Sequence, residues 1–193
     1  MDLADRLARA LRVTAPPTLL ADDLDPGEIG DAAPAAVLVA VVDRPGAPGL
    51  LLTRRNASMR NHAGQVAFPG GRIDSGETPV EAALREAEEE LALDPAAARL
   101  VGTLDPYVTG TAFIVTPVLA IVPPDLPLVP APAEVDAIFE APLADLLDPQ
   151  RWREEQATWQ GRMRRYWRID YEGHDIWGAT AAMIVNLARR LAA

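Results

Sequence analysis

The sequence predicts an α/β domain, an α/β/α sandwich in which a mixed β-sheet lies between helices. Three observations carry this. Residues 78–93 hold a complete helix-start signal followed by an amphipathic, acid-rich stretch; Ala35–Val42 and Phe113–Val122 are apolar runs of strand length; and Thr180–Leu191 has a helical apolar pattern. A chain of 193 residues with 49% hydrophobic content can bury a substantial core, so residues 1–193 are expected to form one domain, with 1–34 as a helix-and-loop extension.

In chain order, Leu3, Leu7, Ala8 and Leu11 fit a short helix packed on the outside of the domain, and the Pro-, Asp- and Gly-rich residues 14–34 read as a loop or linker. Ala35–Val42 is continuously apolar, as a central strand buried on both faces should be. A Pro- and Gly-rich turn over 44–49 leads to a second strand from Leu50. After the acidic helix, Arg99–Leu104 and Phe113–Val122 read as strands, with 105–110 as a loop between them. The proline-rich 123–132 excludes regular structure, Val135–Phe139 is strand-like, and Pro142–Leu147 suits a short helix with proline early in it. Arg162–Tyr171 alternates as an edge strand with outward arginines rather than a nucleic-acid patch, Glu172-Gly173 turns the chain, and Trp177 is expected in the core. The final helix should cover the second face of the sheet.

The acidic helix organises the rest. Thr78 is a hydroxyl N-cap, Pro79 fits the first helical position, and Glu81 completes a capping box; Asp94-Pro95 is expected to end the helix. Val80, Leu84, Ala87 and Leu91 form a narrow apolar stripe, and Glu86, Glu89 and Glu90 a separate face whose small neighbours Ala82 and Ala83 would leave room above the carboxylates. An acidic triplet of this kind is commonly a solvated face. Against that reading, glutamates at i, i+3 and i+4 repel by roughly 0.2–0.5 kcal/mol per pair, and these stand where the helix dipole also disfavours negative charge. A divalent cation removes both penalties, and an oxygen-only donor set favours Mg²⁺ or Mn²⁺ over zinc.

Gly71, Glu77, Arg85-Glu86-Ala87-Glu88-Glu89-Glu90 and Leu93 stand at the spacing G-x5-E-x7-R-E-U-x-E-E-x-G-U, and the chain therefore resembles the Nudix hydrolases. Ala87 replaces a bulkier aliphatic and Ala92 the late glycine; no carboxylate is lost. Residues 51–71 also resemble the signature LLT-x-R-S-x3-R-x3-G-x3-F-P-G-G of the coenzyme A diphosphatase branch, departing only at Asn56, where serine is usual. The resemblance implies a Nudix-type α/β/α fold and Mg²⁺- or Mn²⁺-dependent hydrolysis of the diphosphate of coenzyme A or a derivative. Glu86 and Glu90 would be the principal metal ligands, Glu89 a further ligand or water-activating group, and the Gly70 carbonyl would complete the shell. Arg85 would pair with Glu77. Arg55 and Arg60, ahead of Arg54, would grip phosphate in the forked geometry of guanidinium. Glu134 is the candidate for a late-loop base or extra ligand, followed by Asp136 and Glu140, and a solvated loop acid is the alternative for each. His62 reads as structural. Pro106 and Tyr107 keep other nucleoside diphosphate derivatives, such as ADP-ribose or a dinucleotide, open as substrates; a non-catalytic nucleotide-binding module is the remaining class.

The formal charge of −10 argues against nucleic-acid and membrane surfaces, and the anionic small-molecule substrate that the resemblance implies must then be drawn in against this field by local arginines and a metal. There is no lysine and no cysteine, which removes disulfides, zinc-thiolate sites and thiol nucleophiles. No apolar run reaches spanning length, and a cytoplasmic protein, monomer or homodimer, is the expectation.

Overall fold

The computed structural model describes residues 2–13, 32–59, 62–159 and 161–193. Its main sheet is mixed. Strand β1 (Ala33–Val42) pairs in parallel with β7 (Phe113–Val122) along its whole length, and antiparallel with both β2 (Gly49–Arg55) and β4 (Gly70–Arg72). Beyond β2 lie β3 (Val66–Ala67) and β8 (Val135–Pro142); beyond β7 lie β5 (Arg99–Thr103) and β6 (Tyr107–Val108). The expected apolar runs over 35–42 and 113–122 are therefore the two central strands.

Two apolar layers lie on opposite faces of this sheet. Leu38, Ala40 and Leu51 pack with Ala82, Ala83, Ala87 and Leu91 of helix α2 (Pro79–Leu91). Val39, Val41, Leu50 and Leu52 pack with Ile184 and Leu187 of helix α4 (Ala179–Ala192) and with Leu7 of helix α1 (Leu3–Arg12). Strand alternation produces this division, since successive side chains leave opposite faces. The predicted sandwich is the observed architecture. Helix α1 is less peripheral than expected, because Leu7 is fully buried in the second layer. Residues 14–31 of the expected linker lie outside the described residues, and 33–34 already belong to β1.

Several local expectations are corrected. Helix α2 ends at Ala92, in the left-handed conformation (φ 54°), while Asp94 instead caps a separate 3-10 turn over Pro95–Ala97. Ala82 and Ala83 are wholly buried, so their small size lets the helix approach the sheet and leaves no open room. Arg162–Tyr171 (β10) is the centre, not the edge, of a second, three-stranded antiparallel sheet, flanked by β9 (Trp152–Trp159) and β11 (His174–Trp177). Trp177 is exposed rather than a core anchor. The short helix α3 (Leu143–Leu146) precedes that sheet. No helix among the described residues is long and apolar enough to cross a membrane.

Candidate active site

The capping box of α2 forms as the local sequence requires: Thr78 Oγ1 accepts from the Glu81 amide, and the Glu81 carboxylate accepts from the Thr78 amide at 2.8 Å. This start orients the acidic face toward β4. There the backbone of Gly70 and Gly71 comes so close that side chains would not fit: a Cβ on Gly71 would lie 2.5 Å from Glu86 Oε1, and one on Gly70 would strike the Ala36 carbonyl.

Glu90 is 3% exposed. Its carboxylate accepts a hydrogen bond from the Gly70 amide at 3.3 Å and has Arg55 Nη1 at 3.8 Å. Burial pushes its pKa up to about 7; Arg55 and the Gly70 amide oppose the shift, and the negative charges of Glu86 and Glu134 add to it. Glu86 is also shifted upward, first by burial, with Arg85 opposing and Glu89 and Glu134 reinforcing. Four carboxylates thus feel one another across this corner of the molecule.

Arg85 is the cation that holds Glu77, Glu86 and Glu89 in order. Its Nε and Nη2 donate to the two oxygens of Glu77 at 2.7 and 3.1 Å, its Nη1 donates to Glu86 at 3.0 Å and Glu89 at 3.2 Å, and Nη2 also reaches the Arg72 carbonyl at 3.0 Å. The expected Arg85–Glu77 pair is present, and Arg85 holds the Glu77 carboxyl below its ordinary pKa. Because Arg85 draws Glu86 and Glu89 while Glu90 turns to Gly70 and Arg55, no three acidic or histidine side chains among the described residues already converge as a finished metal cage. The donor chemistry nevertheless suits a hard divalent cation: a buried carboxylate whose charge is incompletely compensated stands beside further carboxylates, with no sulfur or imidazole.

Glu134 arrives from the late loop. The Val129 amide donates to the Leu91 carbonyl and the Ala131 amide to the Glu90 carbonyl, each at 2.8 Å, so this loop satisfies carbonyls left open at the end of α2. On its other side, Asn56 Nδ2 donates to the Pro132 carbonyl at 2.6 Å and the Asn56 amide to the Glu134 carbonyl at 2.8 Å. The residue that departs from the 51–71 signature is the one that ties this segment to the acidic loop. Sequence reasoning missed that tie, since it joins residues 76 positions apart. The two reserve candidates are otherwise engaged: Asp136 accepts from the Ala57 amide at 3.1 Å, and Glu140 pairs with Arg44 at 2.9 Å.

The arginines separate. Arg55 lies on the α2 side beside Glu90, with its Nε buried and lacking a hydrogen-bond partner. Arg54 continues the opposite face, where it lines a cleft with His174, Asp175 and Trp177. The two therefore do not form one cationic patch, because consecutive strand residues point to opposite sides. Arg60 lies outside the described residues. His62 bonds Gln65 at 2.8 Å, as a structural loop residue would. Tyr107 is buried in β6 and packs with the α4 layer, so it does not stand in an open loop beside the acids.

The family model for the NUDIX domain matches residues 32–161. The chain belongs to the Nudix family. A relative from Escherichia coli O7:K1 (strain IAI39 / ExPEC), described as an uncharacterized Nudix hydrolase, NudL, is 48% identical over 158 residues, covering 81% of this chain and 82% of its own. The solved structure of RenU, a Nudix hydrolase from M. smegmatis, is 29% identical with a TM-score of 0.52 over 59% of this chain and 73% of that one. A MutT/nudix family protein from Enterococcus faecalis shares the fold at 13% identity, with a TM-score of 0.53 over 100% of this chain and 70% of its own. This Nudix protein is accordingly a hydrolase acting on phosphoric anhydrides of nucleoside diphosphate derivatives, in a family that generally uses divalent metals such as Mg²⁺ or Mn²⁺.

Proposed function

We propose that this Nudix hydrolase cleaves the diphosphate of coenzyme A or a derivative, giving adenosine 3′,5′-bisphosphate and 4′-phosphopantetheine or its acyl form. The observation that carries the reading is the attachment of the 51–71 signature segment to the acidic helix: Arg55 stands beside Glu90, the Gly70 amide donates to Glu90, and Asn56 holds the backbone of Glu134. A sequence pattern resembling that of coenzyme A diphosphatases is thereby built into the carboxylate site itself.

In this reading Glu86, Glu90 and Glu89, with the Gly70 carbonyl, hold Mg²⁺ or Mn²⁺. When bound, such an ion polarises phosphoryl oxygens and lowers the pKa of a water. The protein groups do the rest. Arg85, locked by Glu77, positions Glu86 and Glu89. Glu89 or Glu134 accepts the proton of the attacking water, the water oxygen bonds to phosphorus, and the bridging P–O bond breaks. Arg55 and Arg60 steady the anionic diphosphate within a protein of net negative charge.

The test is steady-state hydrolysis of coenzyme A, dephospho-coenzyme A, ADP-ribose and NADH with each metal, the products being identified by mass. Coenzyme A should lead and its dephospho form should be poor. Preference for ADP-ribose would transfer the assignment to another nucleoside diphosphate derivative, and tight binding without turnover would indicate a regulatory module.

A further inference from the structure

Between the segment leading into β3 and strand β11 lies a cleft of about 370 Å³, outside the carboxylate site, lined by Arg54, Gly64, Gln65, His174, Asp175 and Trp177. Its size is near the lower end for small-molecule sites, enough for one nucleotide and too little for a whole coenzyme. Its chemistry is specific. Trp177 is 37% exposed, and its ring is braced edge-on by Tyr166, with centroids 5.6 Å apart. His174 is stacked on Phe139 at 3.9 Å, which fixes that wall. Asp175 is committed to Arg168 through two hydrogen bonds of 2.7 and 2.8 Å. Arg54 has no hydrogen-bond or ion-pair partner among the described residues, while Arg44, Arg85, Arg168 and Arg190 are all paired.

An unpaired arginine and an exposed, braced indole that line the same cleft suit a ligand that is both aromatic and anionic. The two ends of coenzyme A differ in just this respect: one carries a purine and a 3′-phosphate, the other an uncharged chain of amides ending in sulfur. Resting on the coenzyme A reading, we infer that this cleft binds the adenosine 3′-phosphate end, with the purine against Trp177 and the 3′-phosphate on Arg54. Strand β2 then presents Arg55 to the diphosphate on one face and Arg54 to the nucleoside end on the other, and the substrate bends around the short edge strand β3.

Equilibrium binding of adenosine 3′,5′-bisphosphate and of adenosine 5′-monophosphate to the full chain tests this, alongside kinetics on coenzyme A and its dephospho form. Arg54→Gln, at an exposed position, should weaken the bisphosphate by about tenfold, the loss of one charged hydrogen bond, and leave the monophosphate within twofold. It should raise KM for coenzyme A by a similar factor at unchanged kcat, without moving KM for dephospho-coenzyme A. Trp177→Ala should weaken both adenine ligands about fivefold or more, with Trp177→Phe restoring most of the loss. No bisphosphate binding by the wild type, or an Arg54→Gln effect equal on ligands with and without the 3′-phosphate, overturns the cleft assignment. Bisphosphate binding that depends on Arg54 in a protein that does not hydrolyse coenzyme A would support the cleft and remove the substrate reading instead.

Discussion

Glu90 concentrates in a single residue the electrostatic cost of the carboxylate cluster. A carboxylate 3% exposed, with a cation only at 3.8 Å, is expensive to ionise, and its pKa of about 7 expresses that cost. The sign is definite: the folded protein binds the proton more tightly than the unfolded chain, whose glutamate titrates near 4.5, so the cation-free protein loses stability as pH rises from about 4.5 to 7. In EDTA, Glu90→Gln should therefore be more stable than the wild type at pH 8, with the advantage shrinking toward pH 4.5, as read by chemical denaturation at both ends of the range. With Mg²⁺, the ligand role proposed for Glu90 predicts that the same variant loses about 10²-fold or more in kcat, because the neutral amide is a poor ligand for a hard cation. A wild type that is the more stable form in EDTA at pH 8 would mean that Arg55 and Gly70 compensate the charge fully.

At the scale of elements, legibility followed locality. Thr78, Pro79 and Glu81 announced the start of α2 because each acts on its immediate neighbours, and all three perform as read. The apolar runs of β1 and β7 were equally plain, since both faces of those strands are covered. Strand β9 escaped notice because its sequence WREEQATW has no apolar alternation, and without it β10 looked like an edge. The tether from Asn56 to the Glu134 loop could not be read, as nothing local signals contact between segments so far apart. The end of α2 was misplaced for a different reason. Asp94-Pro95 is a strong stop signal, yet Ala92 already leaves the helix at φ 54°, where its amide bonds the Ala87 and Glu88 carbonyls and its methyl group is exposed. An L-residue there costs about 1–2 kcal/mol, partly offset by the greater unfolded-state entropy of glycine. Ala92→Gly should consequently stabilise the protein by about 0.5–1 kcal/mol, raising Tm by about 1–4 °C in a thermal melt with no change in kcat. A lower Tm would show that the left-handed turn is not the strained step.

Across the whole molecule, the element that joins distant parts of the chain is Arg190 on α4, which is 6% exposed. Its Nη1 donates to the Ala10 and Val13 carbonyls at the end of α1, at 3.2 and 2.6 Å, and its Nη2 pairs with Asp105 between β5 and β6. One guanidinium thus satisfies the open carbonyls of the first helix and a mid-chain acid from the last helix, while Leu7 fills the core beneath. Arg190→Met keeps much of the apolar stem and removes the charge. Breaking a buried pair usually costs about 3–5 kcal/mol, and Asp105, 40% exposed at its side chain, can recover hydration, so a loss of about 2–4 kcal/mol is expected. That should appear as a drop of about 5–15 °C in Tm. The carboxylate site lies on the α2 face and the latch on the α1/α4 face, with the sheet between them. Below the melting transition, kcat should therefore stay within about twofold of the wild type, the small effect usual for a site with no shared partners. A large fall in kcat in a fully folded Arg190→Met protein would instead show that the sheet transmits the state of the α1/α4 layer to the carboxylates.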